Sequence, residues 1–126
     1  MTQEAKDILF KDLSMRLPYG VHTQFSKFGH IEFDQSEMGF FELEFLRHGD
    51  GVSKPILRPL SDLSDQQLIL LGYQEAGIKT LIEDIQQGNI EHVHFMYLIE
   101  NHYDVSLLIE RGIAVDVNTI ETDPYN

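Results

Sequence analysis

The chain has 126 residues, 21 acidic against 9 basic, a formal charge of −12, and neither Cys nor Trp. That length makes one domain, able to bury about two-thirds of the surface its unfolded chain exposes. The missing Cys excludes disulfides, thiolate metal sites and a cysteine nucleophile, and the charge opposes non-specific association with DNA, RNA or an anionic membrane.

Acids and bases interleave with apolar residues from Met1 to Leu17, which is not the pattern of a signal peptide. A cytoplasmic protein is the expectation. The apolar runs at Leu68 to Gly72 and Phe95 to Ile99 are too short to cross a bilayer. Ile8, Leu9, Leu13, Arg16 and Leu17 recur at three- and four-residue spacing, with Ala5 and Asp12 on the same helical wheel, so a helix is predicted over Gln3 to Leu17. Pro18-Tyr19-Gly20 ends it.

From Val21 the period changes to two. Val21, Thr23 and Phe25 form one predicted strand, Ile31 and Phe33 a second, with Lys27-Phe28-Gly29-His30 between them. After a turn near Ser36 to Gly39, Phe41, Leu43 and Phe45 form a third, which His48-Gly49-Asp50-Gly51 closes. Pro55 and Pro59 restrict Val52 to Leu60 to a short edge strand or an extended arm.

Ser64 with Gln67 three residues later fits a capping box, opening a short helix through Leu68 and Leu71. Ile78, Leu81, Ile82 and Ile85 share the face of a second helical stretch that Gly88-Asn89 ends. Glu91 to His102 is a third, and Val105 to Glu110 a short fourth ended by Gly112. The expected fold is α+β over residues 1–126. It has an N-terminal helix, a small antiparallel meander of three to four strands, and three to four C-terminal helices on one face. Residues 118–126 make either a loose acidic tail or an end tied down by Ile120 and Tyr125.

Charge is unevenly spread: residues 1–60 carry 9 acids and 7 bases, 61–82 carry 3 and 1, and 83–126 carry 9 and 1. The last third therefore holds a net −8 of the total −12. If strands two and three turn their apolar residues inward, Glu32, Asp34, Glu42 and Glu44 share the outer face. Like charges across a strand pair repel. Such a face either meets a basic protein surface or gives solubility and blocks edge-to-edge aggregation. In the Pro-containing arm, Lys54 and Arg58 suit either a recognition segment or a connector with locally paired bases.

The six histidines, His22, His30, His48, His92, His94 and His102, lack metal-ligand spacing. His92 and His94 diverge if they lie on a helix. There is no Gly-x-Ser-x-Gly turn and no phosphate loop, so no catalytic residue, metal or cofactor is expected.

Three blocks and a short end carry a resemblance. They are Lys11-Asp12-Leu13-Ser14-Met15-Arg16-Leu17-Pro18-Tyr19-Gly20-Val21, then Lys54-Pro55-Ile56-Leu57-Arg58-Pro59-Leu60-Ser61, then Asn101-His102-Tyr103-Asp104 with Leu108-Ile109-Glu110-Arg111-Gly112-Ile113-Ala114, and the closing Tyr125-Asn126. They resemble a family of small prophage and mobile-element proteins of gut Bacteroidales, over about half of the chain. Asp65 to Ile90 has no counterpart in that pattern, and Asp104-Val105-Ser106-Leu107 departs from its Asp-Tyr-Arg type of run. The resemblance implies a phage or mobile-element setting and no particular activity.

Composition and setting favour a non-enzymatic accessory protein that binds another protein, itself making no direct contact with nucleic acid or membrane. A sharper form is an acidic nucleic-acid mimic that inhibits a host defence nuclease through Glu32, Asp34, Glu42 and Glu44 or the acids after Glu83. The alternatives are a small-ligand or hydrolytic site at His102, Tyr103 and Asp104, and self-assembly through an apolar patch around Phe95, Leu98 and Ile99.

Overall fold

The computed structural model describes residues 2–26, 33–37, 53–75 and 77–125. Helix α1 runs Gln3–Arg16, opened by the Thr2 hydroxyl, which accepts from the Ala5 N–H at 3.1 Å. Glu4 in its first turn and Arg16 in its last suit the helix dipole. Leu9, Asp12, Leu13 and Arg16 form its buried face, the wheel read from the sequence. Pro18 has no N–H to continue the ladder, so Leu17–Tyr19 tightens into a 3-10 turn that Gly20 ends at φ +75°.

Strand β1, His22–Ser26, lies between two partners. It pairs antiparallel with β2, Phe33–Glu37, setting His22 opposite Glu37 and Ser26 opposite Phe33. On its other side it pairs antiparallel with β3, Ser53–Leu57, with Thr23 opposite Pro55. The fourth strand, β4, is only Val115–Asp116 and runs parallel to β3, placing Ile56 opposite Val115 and Leu57 opposite Asp116. The order is β2-β1-β3-β4.

The class is α+β, but the antiparallel meander is corrected, because the β3–β4 pair is parallel and joins residues about sixty positions apart. A parallel pair needs a long crossover, and here the helices supply it. Two-residue β4 carries no alternation from which it could be read. The arm is corrected as well. β3 lies inside the sheet, with β1 on one side and β4 on the other. Proline is tolerated there because the β4 ladder begins only at Ile56. Ser36 and Glu37, expected in a turn, belong to β2. The expected third strand at Phe41, Leu43 and Phe45 and the turns at 27–30 and 48–51 lie outside the described residues.

Three helices follow. Helix α2, Asp65–Leu70, carries the expected capping box: the Ser64 hydroxyl accepts from the Gln67 N–H at 3.2 Å and Gln67 Oε1 accepts from the Ser64 N–H at 2.8 Å. Helix α3, Gly77–Gln87, buries Leu81 and packs Ile78, Ile82 and Ile85 beside it. Helix α4, His92–Glu100, buries Leu98 and Ile99. It stops short of His102 because that residue turns to φ +69°.

The short helix expected over Val105 to Glu110 is replaced by turns. Leu107 sits at φ +55°, outside helical geometry. The Asp104 carboxylate instead gathers the N–H groups of Leu108 and Ile109, at 2.8 and 2.9 Å. No helix among the described residues is long and apolar enough to cross a membrane.

Two apolar clusters form the core. Leu9 and Leu13 of α1 join Val21, Leu57, Leu108, Ile113 and Ala114 in the first. Leu60, Leu63, Leu71, Leu81, Leu98, Ile99, Tyr103 and Val105 form the second, against which Met15 packs. Helix α1 thus touches both. Asp12 and Arg16, 0% and 1% exposed, make a forked ion pair, Nε to Oδ1 at 2.6 Å and Nη2 to Oδ2 at 3.2 Å. Arg16 Nη2 also donates to the Tyr103 carbonyl at 2.6 Å, and the Ser106 hydroxyl donates to Asp12 at 2.6 Å.

Asp12→Ala strands the Arg16 charge in the interior and should cost about 3–5 kcal/mol in urea unfolding, whereas the paired change Asp12→Leu with Arg16→Met should cost far less. Equal costs for the two variants would show that the stranded Arg16 charge is not the source of the loss.

Candidate functional site

Beyond β3 the chain stays extended, and Arg58 bridges in parallel to Tyr103. The Arg58 N–H donates to the His102 carbonyl and the Asp104 N–H to the Arg58 carbonyl, each at 2.8 Å. This ties the Pro-containing arm to the end of α4. There Asn101 donates its side-chain amide to the Tyr97 carbonyl at 2.8 Å, while the N–H groups of His102 and Tyr103 close on Ile99 and Leu98 at 3.1 and 2.9 Å. The resulting left-handed bend puts His102 at φ +69° and turns its ring toward the C-terminal segment. Histidine is among the side chains that accept this conformation most readily.

Tyr125 completes the arrangement. Its ring stacks on His102, with centroids 3.6 Å apart and planes 11° apart, and meets His22 edge-on at 5.4 Å. Its hydroxyl donates to the Ile56 carbonyl at 2.6 Å and accepts from the His22 N–H at 2.9 Å. Arg58 pairs with Asp123 at 3.0 Å, and its guanidinium carbon lies 5.9 Å from the centre of the Tyr125 ring. Gln67 of α2 reaches across to the hydroxyls of Tyr97 and Tyr103, at 3.2 and 3.1 Å.

Between these elements lies a polar cleft of about 230 Å³. Its walls are Arg58, Gln67, Glu100 and Asn101, with the rings of His102, Tyr103 and Tyr125. Burial pushes the His102 imidazole down to about 4, helped by the nearby charges of Arg16 and Arg58 and by His22, against the pull of Asp123. Burial likewise pushes the Tyr125 hydroxyl up to about 12. Both rings are therefore neutral at neutral pH.

Asp104, 3% exposed, is not part of the cleft wall. Burial raises its pKa, while its bonds from the Ile109 and Leu108 N–H groups act the other way. The trio His102, Tyr103 and Asp104 is thus split. Two members face the cleft, and the carboxylate that a hydrolytic mechanism would need is engaged by backbone.

Glu32, Glu42 and Glu44 lie outside the described residues, and Asp34 is placed only as the backbone partner of Phe25 in β2. Lys54 sits in β3 opposite Gln24, and Arg58 reaches the cleft. His92 and His94 occupy the first turn of α4, with His94 Nδ1 4.0 Å from Glu91. Among the described residues no group of three or more His, Asp and Glu is placed to hold a metal ion. Leu98 and Ile99 are buried, so the apolar patch that the self-assembly alternative would need does not include them. Sequence reasoning put Asp12 and Arg16 on the buried wheel without seeing their pairing, though opposite charges four apart on an apolar face are its signal. Tyr125 stacking on His102 has no local signal. Comparison with known proteins found no matching family model, curated protein or solved structure.

Because the folded state resists protonating His102, the unfolded chain takes up that proton first as pH falls below about 6.5. The contribution of His102 to stability is full above that value and is lost as pH falls toward about 4. Asparagine tolerates the same backbone conformation, so His102→Asn should lose less stability than wild type between pH 7 and pH 4, read from urea midpoints. Identical pH profiles for the two proteins would remove His102 from the account.

Proposed function

We propose that this chain is a non-catalytic accessory protein that works by binding a partner with a basic surface, in the cytoplasm of a bacterial host and in a phage or mobile-element setting. The observation that carries the reading is a division of labour among the acids after residue 82. The aspartates have work inside the fold. Asp84 accepts from the Tyr73 hydroxyl, Asp104 holds the 108–109 turn, Asp116 accepts from the Asn118 N–H at 2.9 Å, and Asp123 pairs with Arg58. The glutamates Glu83, Glu91, Glu100, Glu110 and Glu121 are all exposed. Among the described residues, only Glu91 has a side-chain ion partner, the distant His94 contact.

Like charges left on a surface raise the cost of the compact state and sharpen attraction to an opposite surface. A fold that needed acids only for its own bonds would not carry these five. The exposed apolar side chains Ile69, Leu70 and Val93, at 50%, 62% and 65%, give a protein partner something to bury. The family resemblance supplies the setting.

The test neutralises four glutamates and spares the cleft: Glu83→Gln, Glu91→Gln, Glu110→Gln and Glu121→Gln together. Wild type should retain basic proteins from a Bacteroidales lysate at low salt and release them at high salt. The variant, with an unchanged or raised thermal midpoint, should retain at least about tenfold less. Equal retention by the variant at every salt concentration would remove the acidic surface as the binding determinant.

A further inference from the structure

The cleft at the end of α4 presents, in Glu100, a carboxylate that the fold does not use. Helix α4 has nine residues and no basic residue in its last turn, so nothing on the helix itself offsets the partial negative charge at its C-terminal end. Glu100 stands at that end, exposed and without an ion or hydrogen-bond partner among the described residues. Asn101 spends one of its two side-chain N–H donors on the Tyr97 carbonyl, which fixes the amide and leaves its Oδ1 able to accept.

The one cation in the wall, Arg58, is already paired with Asp123 and held against the Tyr125 ring. Arg58 is engaged by Asp123 from beside the wall, so Glu100 is the one charge in the wall without an ionic partner among the described residues. The neutral His102 adds no positive charge to oppose a cation.

A guanidinium matches this wall better than an ammonium. It is planar, offers five N–H donors, and can fork onto a carboxylate while a further donor reaches a second acceptor. A space of about 230 Å³ admits that group and the end of its stem. We propose that the cleft seats an arginine side chain of the basic protein partner, with the Glu100 carboxylate and Asn101 Oδ1 accepting from its guanidinium; the proposal rests on the reading that the partner is a basic protein. The exposed glutamates then draw the partner in, and the cleft fixes its register.

The probe is N-acetyl-arginine amide, titrated into the isotope-labelled full chain and followed through backbone amide shifts. Its neutral counterpart, N-acetyl-citrulline amide, has almost the same shape. Saturable shifts at Gln67, Asn101 and His102 are expected with the arginine compound, with binding about tenfold weaker for citrulline and about tenfold weaker in Glu100→Gln. Glu75→Gln, an exposed change between α2 and α3, should bind as wild type does. Equal binding of the citrulline compound, full binding by Glu100→Gln, or shifts confined to other parts of the chain would each overturn the proposal.

The quadruple glutamine variant retains Glu100 and should bind the arginine compound as wild type does. Capture of basic proteins without occupation of the cleft would overturn this inference alone. Occupation of the cleft without such capture would overturn only the broader reading on which it rests.

Discussion

The ion pair between Asp12 and Arg16 is the constraint around which the molecule is arranged. It is fully buried, it joins the first helix to the segment after α4, and it borrows the Tyr103 carbonyl and the Ser106 hydroxyl to complete its bonding. Charges taken out of water cost several kcal/mol each, and attraction between them offsets that only when the geometry is good. One donor, Arg16 Nη1, has no partner among the described residues, so the offset is incomplete. The value of such a pair lies in what it forbids. Helix α1 cannot rotate or slide without stranding a charge, and residues 103–108 cannot leave it for the same reason.

That fixed point explains how a short sheet is closed from both ends of the chain. β4 is too short to hold its own register, but the turn ahead of it is tied to α1 through Ser106 and through Leu108 in the first apolar cluster. Val115 is thereby delivered beside Ile56. Tyr125 then reaches back over β1 and β3, using both sides of its hydroxyl. The cleft is a consequence of these constraints. It lies where the arm, the end of α4 and the C-terminal segment converge, and the unengaged Glu100 carboxylate in its wall is what remains after the fold has used Arg58 and Asp123 on each other.

What the sequence made legible was local. Helix α1 and its stop at Pro18, the Ser64 capping box, and the apolar face of α3 all follow from spacing within one or two turns. The parallel partner of β3 was not legible, since two residues cannot display a period and their partner lies beyond three helices. Proline at position 55 argued for an edge, and that inference failed because the neighbouring ladder starts one residue later. Residues 105–110 carry helical spacing, yet Asp104 and the left-handed Leu107 convert them to turns. For the cleft, Arg58 and the pairing of His102 with Tyr103 were visible as residues. Their meeting with Tyr125 is a tertiary event that no local pattern encodes.

The most direct test of the central claim is native-state hydrogen exchange on the wild-type chain. If the buried pair makes α1 and the segment after α4 one unit, the Leu108 and Ile109 amides, which bond to the Asp104 carboxylate, should open with the same free energy as the amide of Leu13 in α1. Rapid exchange at Leu108 and Ile109 while Leu13 stays protected would show that the two segments open separately, and would contradict the account.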